Sequence, residues 1–330
     1  MANTADVTTG AGIAHARGHR RSGRRRRHPV GDMPLWIASA FVLPAAALFA
    51  VFILYPLLTA LSYSLFSWTG IVRGPFVWLH NYADLFTSLP FSEQLPRAFR
   101  NNLLLFVGAM ICQNTFGLLI AQLLHRRERF RRLFRTLFTL PYLVSPLVIG
   151  YLWSLLLSPL FGPVNAFLRA IGLDRFALPW LGDPTTAIWV IVLVTAWQWM
   201  GFPILLYGAA LGGIPEEIHE AAQLDGAGAW QTFRSITLPL LLPAIGTVST
   251  LTFIGAMESF PIPYALGGST GNPAGATDVM SLLFYRTAFE SGASNALGSS
   301  SAIATLLFIF IFGVSVAFTA IMRRAERRLY

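Results

Sequence analysis

Six stretches of this chain, each of 23 residues or more, contain no Asp, Glu or Arg: residues 33–72, 101–125, 136–168, 184–215, 235–257 and 291–322. A helix rises about 1.5 Å per residue and the hydrocarbon core of a bilayer is roughly 30 Å thick, so about 20 apolar residues suffice to cross it. Trimming polar and turn-forming ends places the predicted spans at 36–60, 102–124, 136–158, 187–211, 240–262 and 301–322. Backbone groups in lipid find no water to bond, which favours helices for such runs. The predicted fold class is an all-α integral membrane protein with six transmembrane helices.

The balance of the remaining residues supports lipid as the main solvent. Only 12% of the residues are charged, against about 25% in an average soluble domain. All 24 basic residues are arginine. Without lysine the chain cannot form a GxxxxGK[ST] phosphate loop, whose lysine reaches the phosphates, so it does not hydrolyse ATP through such a loop by itself. The first apolar run is longer than the core of about 7–15 residues in a signal peptide, and reads as a retained helix. With the N-terminus inside, 18 arginines fall in cytoplasmic segments and 6 in outer ones. This asymmetry predicts that both termini are cytoplasmic.

Residues 1–32 read as a disordered, arginine-rich cytoplasmic tail and residues 33–330 as the membrane domain. Beside a membrane anchor, the run RRSGRRRRH suits topology and anionic lipid better than nucleic acid. His15 and His19 have metal-like spacing but no further ligands, so no metal site is expected. Cys112, the single cysteine, lies in an apolar run and is expected to be a small buried hydrophobe. Outer residues 62–100 are expected to form short helices on the membrane surface.

One cytoplasmic segment is chemically unlike the others. IPEEIHEAAQLDGAGAWQTFRSITLPLL sets Glu216, Glu217, Glu220 and Asp225 against Arg234 alone. Pro215 suits a first helical position, and acids in the first turn suit the positive end of a helix dipole. Ile218, Ala221 and Ala222 are spaced to share one small apolar face. Gly226 allows a sharp turn, after which AGAWQTFRSI can form a second short helix before Pro239. Two short helices with a negative rim read either as a plug for another protein or as an interfacial connector.

In this segment Glu220, Ala221, Ala222, Gly226, Ile236, Leu238 and Pro239 resemble the EAA–G–I–LP signature of ABC-importer permease subunits, with its spacing intact. FVWLHNYADLF, RTLFTLPYLVSPLVIGYLWSLL, FGPVNAFL, WQWMGFPILLYGAALGGIPEE, DVMSLLFYRTAF and SSSAIATLLFIFIF are similar to the carbohydrate-uptake branch of maltose and glycerol-phosphate type. The resemblance implies that loop 214–239 carries the coupling helices between spans 4 and 5. They would dock on a separate cytoplasmic ATPase, Glu220 pairing with a basic residue and Gly226 turning the chain. It also implies two ATPase subunits that use ATP and Mg, a second and different permease, an external solute-binding protein and a sugar cargo. No cofactor is expected on this chain, and no catalytic residue.

The same resemblance directs attention to the fourth and fifth spans for sugar contacts. Trp197, Gln198 and Trp199 precede Gly201 and Pro203, which loosen a helix. Aromatic faces suit the C–H faces of sugars, and an amide both donates and accepts hydrogen bonds. Glu258 and Ser259 are the further candidates, Glu258 standing either inside the fifth span or just past its end. Pro141 and Pro146 are expected to kink the third span. Gly267, Ser269 and Gly271 match G-x-S-x-G by accident, because no strand precedes them. GGSTGNPAGATD is longer than the compact Gly-Gly-Pro turn usual in the family. A secondary transporter would need buried ionisable relays, for which one doubtful acid gives little material. A membrane-embedded enzyme would need catalytic polar clusters, and Asp225 with Gly226 lacks the further aspartates of the phosphatidyltransferase motif.

Overall fold

The structure, a computed structural model, describes residues 35–125 and 128–326. The tail expected over 1–32 lies outside the described residues. The chain divides into two units, Met1–Leu54 and Tyr55–Tyr330. The first contributes the helix Leu35–Phe49, with Pro44 inside it, and the wide π turn Ala50–Leu54. Its large apolar side chains, among them Phe41 and Phe52, are exposed, as lipid-facing side chains are.

Among the described residues three helices are long and apolar enough to cross a membrane: Ser39–Tyr63, Phe91–His125 and Ala296–Arg324. Three bent pairs meet the same test together. Arg132–Leu143 and Pro146–Leu156 meet at 96°, Pro184–Trp199 and Gly201–Gly212 at 44°, and Ala229–Leu240 and Leu242–Met257 at 65°. The second long helix begins well before the expected start at residue 102, carrying Glu93, Arg97 and Arg100 on its first turns.

The expected third span, 136–158, is not one helix. Ser145 precedes Pro146 and is extended, at ψ 128°, because a following proline disfavours helical geometry. Pro141 opens a short 3-10 turn, Pro141–Leu143, so the two prolines bracket the break. Pro146–Leu156 has only 11 residues, about half the length needed to cross the hydrocarbon core. The fifth span also ends earlier than 262. Its helix stops at Met257, and a separate helix Pro261–Gly267 packs against Pro146–Leu156.

Residues 62–100, expected to hold only short helices, include a small sheet within an otherwise helical fold. Phe66–Thr69 and Val72–Phe76 form an antiparallel hairpin, turned at Gly70 with φ +63°. β-branched and aromatic residues flank a glycine in the left-handed region, which is the local chemistry of a hairpin rather than a helix. Arg73 lies over the Phe66 ring at 3.5 Å. The helix His80–Thr87 follows, in the region where short helices were expected. Its buried Asn81 donates to the carbonyls of Ser64 at 2.7 Å and Phe66 at 2.9 Å. Asn295 then donates to Asn81 Oδ1 at 2.8 Å and accepts from the Trp68 amide at 2.9 Å. This clasp joins the hairpin to the start of the last helix.

A second clasp ties the second long helix to the end of Leu242–Met257 and the start of Met280–Tyr285. Asn102 donates to the carbonyls of Ala256 at 2.7 Å and Met257 at 3.1 Å, and accepts from the Met280 amide at 2.8 Å. It satisfies carbonyls that the end of the Leu242–Met257 helix leaves without partners, which stabilises termination there. Asn101 beside it donates to the carbonyl of Asp278 at 2.8 Å. The Arg286 guanidinium meets Asp278 at 2.8 Å and also donates to the Ser269 carbonyl at 2.6 Å. Burial pushes the Asp278 carboxyl above its ordinary range, while Arg286 opposes the shift. Ser269, of the accidental G-x-S-x-G match, thus serves this loop through its backbone.

Apolar packing follows the same helices. Leu105, Ile191, Val192 and Leu282 belong to the largest buried cluster. Cys112, expected to be buried, is half-exposed within the π turn Met110–Thr115.

Candidate functional site

The acidic segment forms a helix, a turn and a second helix. The first runs Glu216–Leu224; Pro215 stands one residue before it, as the N-cap with ψ 137°, rather than at the first helical position. At its end the Ala227 amide donates to the Ala222 carbonyl at 2.9 Å and the Gly226 amide to the Gln223 carbonyl at 3.0 Å. Gly226 has φ +76°. This pair of bonds around a left-handed glycine is a Schellman cap, which satisfies the last carbonyls and reverses the chain.

The second helix, Ala229–Leu240, is longer than expected and runs through Pro239. A π turn at Phe233–Thr237 immediately precedes Leu238 and Pro239, loosening the ladder where proline lacks an N–H to give it. Ala222 and Thr237 are buried and Ile218 is half-buried, whereas Ala221 is exposed, so the inner face does not include it. Ile236, Leu238 and Pro239 are half-buried. Glu216, Glu217, Glu220 and Asp225 all reach solvent. Among them stand two large apolar side chains, Leu224 at 90% exposure and Trp230 at 71%. Acids around exposed Leu and Trp form a surface with both charge and apolar anchors.

The breaks in the helices make a second feature. A cavity of about 450 Å³ is lined by Tyr142 and Pro146 from the first bent pair and by Thr195, Trp199 and Phe202 from the second. Gln113 contributes from the second long helix, Thr252 from the third bent pair, and Glu258 and Ser259 from just past its end. Gly201 makes the bend possible. A Cβ there would stand 2.8 Å from the Phe138 carbonyl oxygen and the Thr139 Cα, so the two backbones approach where a side chain cannot fit.

The five residues singled out for the pathway divide between different places. Trp199, Glu258 and Ser259 line the cavity. Trp199 also meets the Tyr142 ring edge-on at 5.3 Å. Glu258 caps the C-terminal end of Leu242–Met257 and is exposed. Trp197 is not part of this lining and packs edge-on against Trp153 at 5.6 Å. Gln198 is fully buried and donates to the Val144 carbonyl at 3.0 Å, bracing the break between Leu143 and Pro146. Helical periodicity explains the separation, since successive residues point about 100° apart.

Sequence reasoning passed over Gln113, Thr195, Tyr142 and Thr252. The available signal was a set of amides inside an apolar run: Asn101, Asn102, Gln113 and Asn114 on one helix. Polar groups in that setting need partners or a purpose. Asn101 and Asn102 make the outer clasp. Asn114 donates to Thr252 Oγ1 at 3.2 Å. Gln113 is 5% exposed and has no hydrogen-bond partner among the described residues.

A cavity built where apolar helices break, above an exposed acidic helix pair, has the form of a membrane transport subunit. The family described as binding-protein-dependent transport system inner membrane component matches residues 113–329, and the chain belongs to it. It is 36% identical to the probable ABC transporter permease protein YurN of Bacillus subtilis (strain 168), across 84% of this chain and 92% of that protein. It is 33% identical to the lactose transport system permease protein LacF of Rhizobium radiobacter, across 86% of this chain and 91% of LacF. A bacterial alginate ABC transporter, solved in complex with an alginate pentasaccharide-bound periplasmic protein, superposes with a TM-score of 0.71 at 26% identity. That alignment covers 89% of this chain and 95% of the other. The chain is a permease subunit of a binding-protein-dependent ABC importer, placed in the inner membrane.

Proposed function

We infer that this permease forms half of the transmembrane pathway of an ATP-driven sugar importer. Each bent pair crosses the membrane once, which with the three long helices makes six spans, both termini lying in the cytoplasm. The loop 214–239 couples the pathway to a separate ATPase, two copies of which bind ATP and Mg. A different permease supplies the other half, and an external binding protein delivers the sugar. Nucleotide acts by binding the inward- and outward-open arrangements differently, since a ligand shifts a balance only by its differential affinity.

The observation that carries the reading is the acidic helix pair, with Glu220 exposed beside Leu224 and Trp230. A hydrophilic rim with apolar anchors on a membrane protein's cytoplasmic face suits a protein partner, and a chain without lysine needs one to use ATP. Relatives named for lactose transport and for starch degradation products support sugar as the cargo class.

Isolation of the complex through a C-terminal tag, followed by mass spectrometry, tests the assembly. An ATPase and a second permease should copurify in stoichiometric amounts, and Glu220→Lys should release the ATPase while leaving membrane insertion intact. A chain that emerges alone and moves solute in liposomes without ATP would refute the reading.

A further inference from the structure

The chemistry of the cavity narrows the cargo, on the reading that this chain forms half of a sugar pathway. One wall presents the rings of Tyr142, Trp199 and Phe202, surfaces on which the C–H face of a sugar ring can lie. Gln113 supplies a nearly buried amide whose donors and acceptor are unused among the described residues. In the same lining the Thr195 hydroxyl is buried and has no partner. Asn114, next to Gln113, is already committed to Thr252. A buried amide and hydroxyl without partners favour a ligand that can both donate and accept, which is the property of a sugar hydroxyl.

The charge of the lining is as informative as its polarity. Among the described residues Glu258 is the one charged side chain in it, and no arginine or histidine contributes. The buried cation of the outer segment, Arg286, is engaged by Asp278. Glu258 is exposed, so its charge is screened at a distance and acts mainly on a ligand seated beside it in the largely apolar cavity. An anionic ligand would therefore lose water, meet Glu258 and find no cation in exchange.

We propose that this half of the pathway admits uncharged sugar units, that Gln113 hydrogen-bonds their hydroxyls, and that Glu258 turns away uronic acids and sugar phosphates. The cargo of the superposable importer, the acidic polysaccharide alginate, therefore does not carry over to this chain. Selection by charge is built into the membrane subunit as well as into the binding protein that serves it.

The test uses the complex isolated through this chain, so that loss of the permease reading would show separately, as absence of the ATPase and second permease. Cys112→Ala removes the native thiol, and Leu251→Cys puts a reporter in the cavity wall. Alkylation of the reporter by N-ethylmaleimide is followed by mass spectrometry, with maltose, lactose or trehalose present, and with digalacturonic acid at matched ionic strength. At least one neutral disaccharide should slow the reaction severalfold, and the uronide should leave it unchanged. Glu258→Gln should let the uronide protect as well, and Gln113→Leu should abolish protection by the neutral sugar. A second readout needs no sugar: the ratio of anionic to cationic methanethiosulfonate modification of the reporter should rise about tenfold in Glu258→Gln, as loss of a like charge at close range implies. The proposal falls if the uronide protects the Glu258 form equally, if no neutral sugar protects an assembled complex, or if the reagent ratio ignores Glu258.

Discussion

The loop 214–239, read above as the inner one, and the loop 267–280, read as the outer one, both connect helices through glycines in the left-handed region, yet they are held in opposite ways. Gly226 is surrounded by open space and its turn is closed by bonds to residues three to five positions away. A Cβ at Gly271 would stand 2.5 Å from the Asp278 backbone, and its loop is held by Arg286, Asn101 and Arg97 from distant helices. The inner loop keeps its shape alone and leaves its charges free for a partner. The outer loop spends its polar groups on the chain's own closure. The surface proposed to engage another molecule is one whose fold needs nothing from that surface.

Substitutions should separate the two designs, beginning with the largest effect. Arg286→Ala leaves Asp278 buried without its cation and should cost about 3–5 kcal/mol, as removal of one partner of a buried pair does, read as thermal unfolding of the detergent-solubilised complex. Its pH dependence has a definite sign. Burial holds the Asp278 carboxyl above the ordinary 3.8, and loss of Arg286 raises it further. Stability in the variant is then fullest below that ordinary value and is lost as pH rises through the folded one, so the deficit should shrink on acidification.

Asn102→Leu comes next. It strips partners from the Ala256 and Met257 carbonyls and the Met280 amide, at about 1–3 kcal/mol for each group left unsatisfied. The same unfolding assay measures it, and the reporter thiol in the cavity should change its alkylation rate because the end of the fifth helix loses its anchor. Gly226→Ala should cost about 1–2 kcal/mol, the penalty of left-handed backbone with a Cβ, with no clash to add. Equal costs for Gly226→Ala and Arg286→Ala would erase the distinction between the loops.

The smallest stability effect belongs to Glu220→Lys, within about 0.5 kcal/mol for an exposed position. Its effect on assembly should be the largest of the set. ATPase retained at full stoichiometry would show that the inner loop's free charges are not what the partner reads.

Much of the inner loop was legible in the linear order of residues. Its helix, its Gly226 turn and its exposed acids arise from neighbours within a few positions, although Ala221 turned outward and the second helix ran on through Pro239. The cavity was only partly legible. Trp199, Glu258 and Ser259 lie in its lining, whereas Trp197 and Gln198 face elsewhere, because adjacent residues on a helix cannot all face one space. Gln113 and Thr195 were passed over because an isolated amide or hydroxyl in an apolar run looks the same whether it binds a neighbour, a ligand or nothing.

What the sequence determined by itself is what short-range physics and solvent preference control. Apolar runs without charges called for a membrane, arginine asymmetry set the expected orientation, prolines marked the break between Leu143 and Pro146, and Gly70 and Gly226 placed turns. Tertiary structure decided where helices end and which polar groups remain free. Asn102 acts at Met257 across 155 positions of chain, and Gln113, Thr195 and Glu258 line one cavity only because broken helices converge. Partners so far apart in sequence leave no periodic mark, since their pairing is set by packing rather than by local backbone preference.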